Sequence, residues 1–255
     1  MSRVYITGDC HARFNKFATD RFTEQKELTK DDFVIICGDF GGVWSDCPEE
    51  RNWLNWLSRK RFTTLFVDGN HENFDRLNNE FRTVEFHGGK AHQIRKNVFH
   101  LIRGNVYDIC GKKFFAFGGA SSHDIQDGIL DPHDFSSLSD LAKTYNMLTR
   151  QGKMLRINHI SWWKEEMPTE DEMELGIKTL NEHNNEVDFV ISHCCPQHIA
   201  SVFSNGVYKA DELTSYFDKI AETTKFTKWY FGHYHNDAAI NDKYIMLYHN
   251  IERIV

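Results

Sequence analysis

"WYFGHYHN", residues 229–236, decides how this chain is read. Three large apolar side chains run into Gly232, and two imidazoles, His233 and His235, follow two positions apart. The design recurs in "VYITGDCH" (4–11), "FVIICGDF" (33–40), "LFVDGNHE" (65–72) and "DFVISHCC" (188–195). Each is an apolar run of strand length, then a small residue or tight turn, then Asp, Asn or His. Continuous apolar runs imply strands covered on both faces. In such folds ligands gather at the carboxyl ends of strands. Asp9, His11, Asp39, Asn70, His193, His233 and His235 stand at five such ends. In extended backbone, residues two apart point the same way, so Asp9 with His11, and His233 with His235, are expected to share a side.

Taken singly, each of these residues reads as a turn, a cap or a hydrogen-bonded core histidine. Capping does not explain five strand ends that carry the same few donor types. Seven donors also exceed the four positions of one tetrahedral zinc. They fit two divalent ions that share a bridging carboxylate. Mixed nitrogen and oxygen donors favour Mn, Fe or Zn over Ca²⁺ or Mg²⁺ alone.

Between the strand candidates lie helical patterns. "EERNWLNWLSRK" (49–60) sets Trp53, Trp56, Leu57 and Lys60 on one stripe. Residues 168–184 open with Thr169 as N-cap and acidic residues in the first turn. Residues 210–222 form a third helix. Residues 97–120 read as antiparallel strands with Cys110-Gly111-Lys112-Lys113 as the turn. The expected architecture is α/β: a mixed sheet, or two stacked sheets, flanked by helices.

The chain has 255 residues, no Pro/Gly/Ser-rich linker and no repeat, so a single domain over 1–255 is expected. A net charge of −7, from 37 acidic and 30 basic residues, argues against extended nucleic-acid binding. It leaves room for a nucleotide or a nucleic-acid end. Met1-Ser2-Arg3 leads straight into the first strand, so no signal peptide is expected. No apolar run approaches membrane-span length, so no membrane partner is expected. The six cysteines include no C-x-x-C pair and are read as reduced, in a cytoplasmic protein.

"GDCH", "GDFGG", "GNHE", "SHCC" and "GHYH", in this order, resemble the five blocks of the calcineurin-like metallophosphoesterases. The blocks span residues 8–235. The resemblance implies a four-layer α/β/β/α sandwich with mixed sheets and a dinuclear centre. It implies that Asp9, His11 and His235 hold one metal, that Asn70, His193 and His233 hold the other, and that Asp39 bridges both. The implied reaction is phosphoester hydrolysis, with a metal-bridging hydroxide attacking phosphorus. His71 matches the family's non-ligand histidine near the scissile phosphate. It would act as general acid, or as a phosphate hydrogen-bond donor without proton transfer.

The second block departs from the phosphoprotein-phosphatase branch. That branch reads like G-D-x-x-D-R-G, whereas Gly42 and Val43 stand here where it has Asp and Arg. This argues against a protein phosphatase. The acidic net charge favours a small or terminal phosphate over a long nucleic acid, with monoester, diester and nucleotide substrates all open. Arg13 is a candidate replacement phosphate clamp. His123, in "GGASSHDI" (118–125), is a candidate lining residue of the substrate pocket. Trp162-Trp163 reads as helix-docking core rather than a base-stacking platform. Asp46, Asp68 and Asp75 are near His71 in sequence, but none is identified as its partner. Two other classes are weighed: a non-catalytic metal-binding scaffold or binding module on the same fold, and a metal-dependent deacetylase. The oligomeric state is not read from the sequence.

Overall fold

The computed structural model describes residues 2–255. The first six strands are β1 (Val4–Thr7), β2 (Phe33–Cys37), β3 (Thr63–Val67), β4 (Thr83–Phe86), β5 (Gly89–Arg95) and β6 (Val98–Leu101). Then come β7 (Asn105–Ile109), β8 (Lys112–Phe117), β9 (Ile129–Leu130), β10 (Arg156–Ile157) and β11 (Phe189–Ser192). The last are β12 (Lys228–Phe231), β13 (Ala238–Ala239), β14 (Tyr244–Met246) and β15 (Ile251–Arg253). The helices are α1 (Pro48–Ser58), α2 (Phe74–Asn79), α3 (Leu138–Arg150), α4 (Glu170–Glu182), α5 (Gln197–Ser204) and α6 (Glu212–Thr223).

Of the two large sheets, one runs β15-β1-β2-β3-β6-β5-β4 and the other β13-β14-β12-β11-β8-β7, while β9 and β10 form a separate parallel pair. Both large sheets are parallel at the centre and antiparallel at the edges. Side-chain alternation makes the layers. Phe33, Ile35 and Cys37 of β2 join an apolar cluster with Phe114 and Ala116 of β8, Ile191 of β11 and Tyr230 of β12, between the sheets. Val34 and Ile36 face the other way, onto Leu54 and Leu57 of α1 and Phe74 of α2. Trp229 and Phe231 of β12 pack with Phe217 of α6 and Ile199 of α5. Three apolar layers separate four structural ones, helix, sheet, sheet, helix, which is the expected α/β/β/α sandwich.

The predicted helices form, and Thr169 caps α4 as expected, in a reciprocal capping box with Glu172, while Asp211 caps α6. The stripe expected on α1 is shifted: the helix ends at Ser58, so Lys60 falls outside it, and it buries Leu54 and Leu57 while Trp53 and Trp56 stay half-buried. Two expectations about residues 97–120 also need correction. Residues 97–120 are not one antiparallel unit, because β6 belongs to the first sheet and β7 and β8 to the second. Their hairpin turns on Cys110 and Gly111 alone, both left-handed at φ 57° and 72°, as a two-residue turn between twisted strands requires. Lys112 and Lys113 already lie in β8. The helices α2, α3 and α5 are not among the expected ones, although α3 and α5 are at least as amphipathic as α1 and α4. Trp163 is helix-docking core as expected: it is buried with Leu54 and Leu57 of α1 and Phe74 and Leu77 of α2, donates Nε1 to Asp75 of α2 at 2.7 Å, and meets Trp44 in a T-shaped contact at 5.2 Å. All six cysteines are free. Among the described residues, no helix is long and apolar enough to cross a membrane.

Candidate metal centre

Six parallel strands deliver the polar residues to one seam between the sheets. Asp9 and His11 follow β1, Asp39 follows β2, and Asn70 and His71 follow β3. Ser122 and His123 follow β8, His193 follows β11, and His233 and His235 follow β12. Backbone bonds stitch the exits together. Cys10 and His11 donate to the Asp39 carbonyl at 3.0 and 2.8 Å, and Gly232 donates to the His193 carbonyl at 2.9 Å. His193 Nδ1 donates to the Cys37 carbonyl across the two sheets at 2.8 Å, which leaves Nε2 free to face the seam.

The expected extended backbone is absent here. His11, Asp39, His233 and His235 are left-handed, at φ 45°, 44°, 69° and 51°. Such φ values cost non-glycine residues about 1–3 kcal/mol each and cluster where function over-determines the backbone. They break the two-residue alternation. His235 turns to Asp9 and His11, while His233 turns to His193 and His123.

Ligand atoms of Asp9, His11, Asp39 and His235 all lie within 4.8 Å of one another. His11 Nε2 and His235 Nε2 face each other at 3.0 Å. Asp9 Oδ2 is 3.2 Å from His235 Nε2 and 3.6 Å from His11 Nε2. Asp39 spans two groups: Oδ2 lies 3.6 Å from His11 Nε2, and Oδ1 lies 3.3 Å from His193 Nε2. On the far side, Asn70 Oδ1 also lies 3.3 Å from His193 Nε2. The His233 ring is 4.9 Å from that of His193, and His233 Nε2 is 2.9 Å from His123 Nε2. Thus the seven sequence-derived donors come together as two touching groups, and His123 joins the second. Arg13 does not join them; it is exposed and lines a cleft beside His11.

The donors are set up for positive charge. Burial resists ionising Asp9 and Asp39, yet His193 and the imidazoles around them hold both carboxyls below the usual range. Burial likewise resists charging His193, yet Asp39 and Asp9 push it up to about 10. Asp9 Oδ2 is buried and accepts no hydrogen bond. An orphaned carboxylate oxygen facing two imidazole nitrogens fits a divalent ion.

Several residues that support the site escaped sequence reasoning. Glu72, fully buried, accepts the Phe40 and Gly41 amides at 2.7 and 3.2 Å and so shapes the turn that carries Asp39. Its place in "GNHE" was a visible signal. Asn70 Nδ2 donates to Ser122 Oγ at 3.3 Å, and Ser122 Oγ donates to Glu166 at 2.6 Å. This chain aims Asn70 Oδ1 at the seam. Arg156 lies 85 positions from His71, and no local pattern marked it. Its guanidinium grips Asp124 at 2.7 and 2.6 Å and sets Nη1 3.4 Å from His71 Nδ1. None of the three carboxylates near His71 in sequence serves it. Asp46 pairs with Arg51, Asp68 with Arg103, and Asp75 with His159 and Trp163.

Residues 2–237 match the model of a family described as calcineurin-like phosphoesterase. The chain is also 25% identical over 150 residues to lariat debranching enzyme A of Xenopus laevis. That stretch covers 52% of this chain and 27% of the relative, so the two share only part of the relative's length.

Proposed function

The chain belongs to the calcineurin-like phosphoesterase family, whose chemistry is metal-dependent, and we propose that it hydrolyses a small or terminal phosphoester with two divalent ions. The substrate class is a phosphate monoester or diester, nucleotides included. Asp9, His11 and His235 would hold one ion, and Asn70, His193 and His233 the other. Asp39 would bridge them, since it turns one oxygen to each group. The observation that carries the reading is the buried, unpartnered Asp9 Oδ2 within that donor set. Mn, Fe or Zn suits the mixed donors. When bound, the pair supplies an activated water and neutralises phosphate charge. The whole 255-residue chain is read as one domain, acting in the cytoplasm, with no extended nucleic-acid partner.

The remaining roles belong to the chain. His71 holds its amide on Asp39 Oδ1 at 2.8 Å, so the ring sits beside the bridge. Arg156 can only donate, so His71 Nδ1 accepts and the ring proton resides on Nε2. Burial keeps the His71 pKa below the usual range; Asp39 opposes this and Arg156 adds to it. A neutral imidazole with Nε2–H suits a donor to a phosphate oxygen better than a general acid. Arg156 brings the positive charge that Val43 does not. Arg13, farther out, is a second candidate contact for the substrate, and His123 stands at the edge of the second ion.

A leaving-group series tests this. With Mn²⁺ present, His71→Asn should slow alkyl and aryl phosphate esters by similar factors of about 10²–10³ in kcat. A loss far larger for alkyl esters would restore the general acid. Turnover that is absent from the unaltered protein across mono- and diesters would favour the non-catalytic scaffold.

A further inference from the structure

Beside the metal centre a cleft of about 400 Å³ is lined by His11, His71, Arg13, Trp44 and Trp53. Its volume lies in the range of small-molecule sites. Trp44 stands in the "GDFGGVW" block, and Trp53 lies on α1. Neither is swallowed by the core, and both are half-buried. Both are nonetheless fixed. Glu50 Oε2 accepts the Trp44 amide at 2.8 Å, Asn73 donates to its carbonyl at 2.7 Å, and Trp163 meets its ring edge. Trp53 is braced in T-shaped contacts by Phe14 at 5.8 Å and Trp56 at 5.3 Å. Two aromatic walls are therefore held in place at the mouth of the reacting centre.

The polar part of the lining narrows the ligand. Glu50 is spent: one oxygen takes the amides of residues 44–46 and the other takes Arg76 at 2.7 Å. Cys47 is engaged as well, its Sγ accepting the Glu50 amide at 3.5 Å, which leaves Arg13, Ser45 and Glu49 around the walls. Three scattered groups are too few for the ring of hydroxyls on a sugar, each of which needs partners. They suffice for the edge of a planar heterocycle whose faces rest on indole. We infer that this cleft holds the nucleobase of a nucleoside phosphate or of a terminal nucleotide. The inference rests on the reading of the centre as the place where phosphate reacts, because His11 and His71 belong to both. The acidic net charge of −7 agrees with one nucleotide rather than a long strand.

The test is isothermal titration of the metal-free protein with adenosine 5′-monophosphate, adenosine and ribose 5-phosphate. The monophosphate should bind at least tenfold tighter than ribose 5-phosphate, and adenosine should bind measurably. Trp44→Ala and Trp53→Ala should each weaken the monophosphate about tenfold, while Trp44→Phe should keep most of the affinity. Trp53 braces Phe14, so Ser45→Phe, an exposed change that fills the cleft, serves as a second probe and should also weaken binding. Equal affinity for the monophosphate and ribose 5-phosphate, or unchanged affinity in all the variants, would overturn the inference. Turnover of glycerol phosphate with Mn²⁺ reads the catalytic proposal separately. Base-dependent binding without turnover would sink that proposal and support the cleft. Turnover without base preference would sink the cleft alone.

Discussion

Asp9 and Asp68 are both buried carboxylates at parallel strand exits of the same sheet, and both face imidazole. Their surroundings end differently. Asp68 Oδ1 accepts His100 Nε2 at 3.0 Å, and Oδ2 accepts Arg103 at 2.9 and 2.5 Å. Arg103 reaches on to Glu172 at 3.3 Å and the Glu165 carbonyl at 2.8 Å, while His100 meets His92 at 3.1 Å. The chain closes that network with its own cation. Around Asp9, Oδ1 takes the His233 amide at 2.9 Å and Oδ2 takes no hydrogen bond. Among the described residues no arginine or lysine pairs with its carboxylate; Lys16 donates only to the Asp9 carbonyl, at 2.9 Å. A buried charge that the chain satisfies serves the fold, whereas one left open calls for a cation from outside.

The comparison can be broken at either end, and the largest effect lies at the open one. Asp39→Asn should cut turnover by at least about 10³-fold, the scale of losing an electrostatic stabiliser in a dry site. Bound metal should fall with it, measured by elemental analysis after Mn²⁺ loading. Its metal-free stability should change less than that of the next variant. Full metal content with full turnover would undo the contrast. At the closed end, Asp68→Asn leaves Arg103 buried without its main partner. Unfolding in urea should show a loss of about 3 kcal/mol, the low end for a broken buried pair because Glu172 remains. Metal per folded molecule should stay constant; proportional metal loss would mean that Asp68 belongs to the centre after all.

The smallest effect is a pH slope. Burial, aided by His100, pushes His92 down to about 4. The folded chain therefore prefers His92 neutral. Its contribution is complete above about pH 6.5, falls as pH drops towards about 4, and amounts to about 1–2 kcal/mol once solvent screening is allowed for. Replacing His92 with Gln should flatten the stability curve of the metal-free protein between those pH values. An unchanged slope would place the acid sensitivity elsewhere.

The open cluster was the more legible of the two, and the reason is physical. Strand-length apolar runs must end in turns, and a turn that carries Asp, Asn or His is visible within eight residues. The seven donors were named that way. What depends on pairing between distant segments was not visible: Arg156 beside His71, Ser122 behind Asn70, and the Asp68–Arg103–His100 network. The alternation rule failed at His233 and His235 because it assumes extended backbone, whereas both are left-handed. The four layers could be read from continuous apolar runs. The switch of sheets between β6 and β7 could not, since the intervening residues carry no signal of direction.

The glycines of the blocks have a consequence for how such a chain can change. A Cβ on Gly69 would overlap the Asp39 carboxylate; on Gly38, the His193 ring; on Gly232, the carboxylate of Asp9. Each glycine makes room for a donor from a different block. Backbone holds the same three positions. A Cβ on Gly69 would also meet the Asp39 amide nitrogen at 2.5 Å, one on Gly232 the Cys37 carbonyl at 2.7 Å, and Gly38 is left-handed at φ 87°. Shrinking a donor side chain therefore does not release its glycine. A lineage that gave up a donor would keep the glycine beside it, and the glycines would outlast the chemistry they now accommodate.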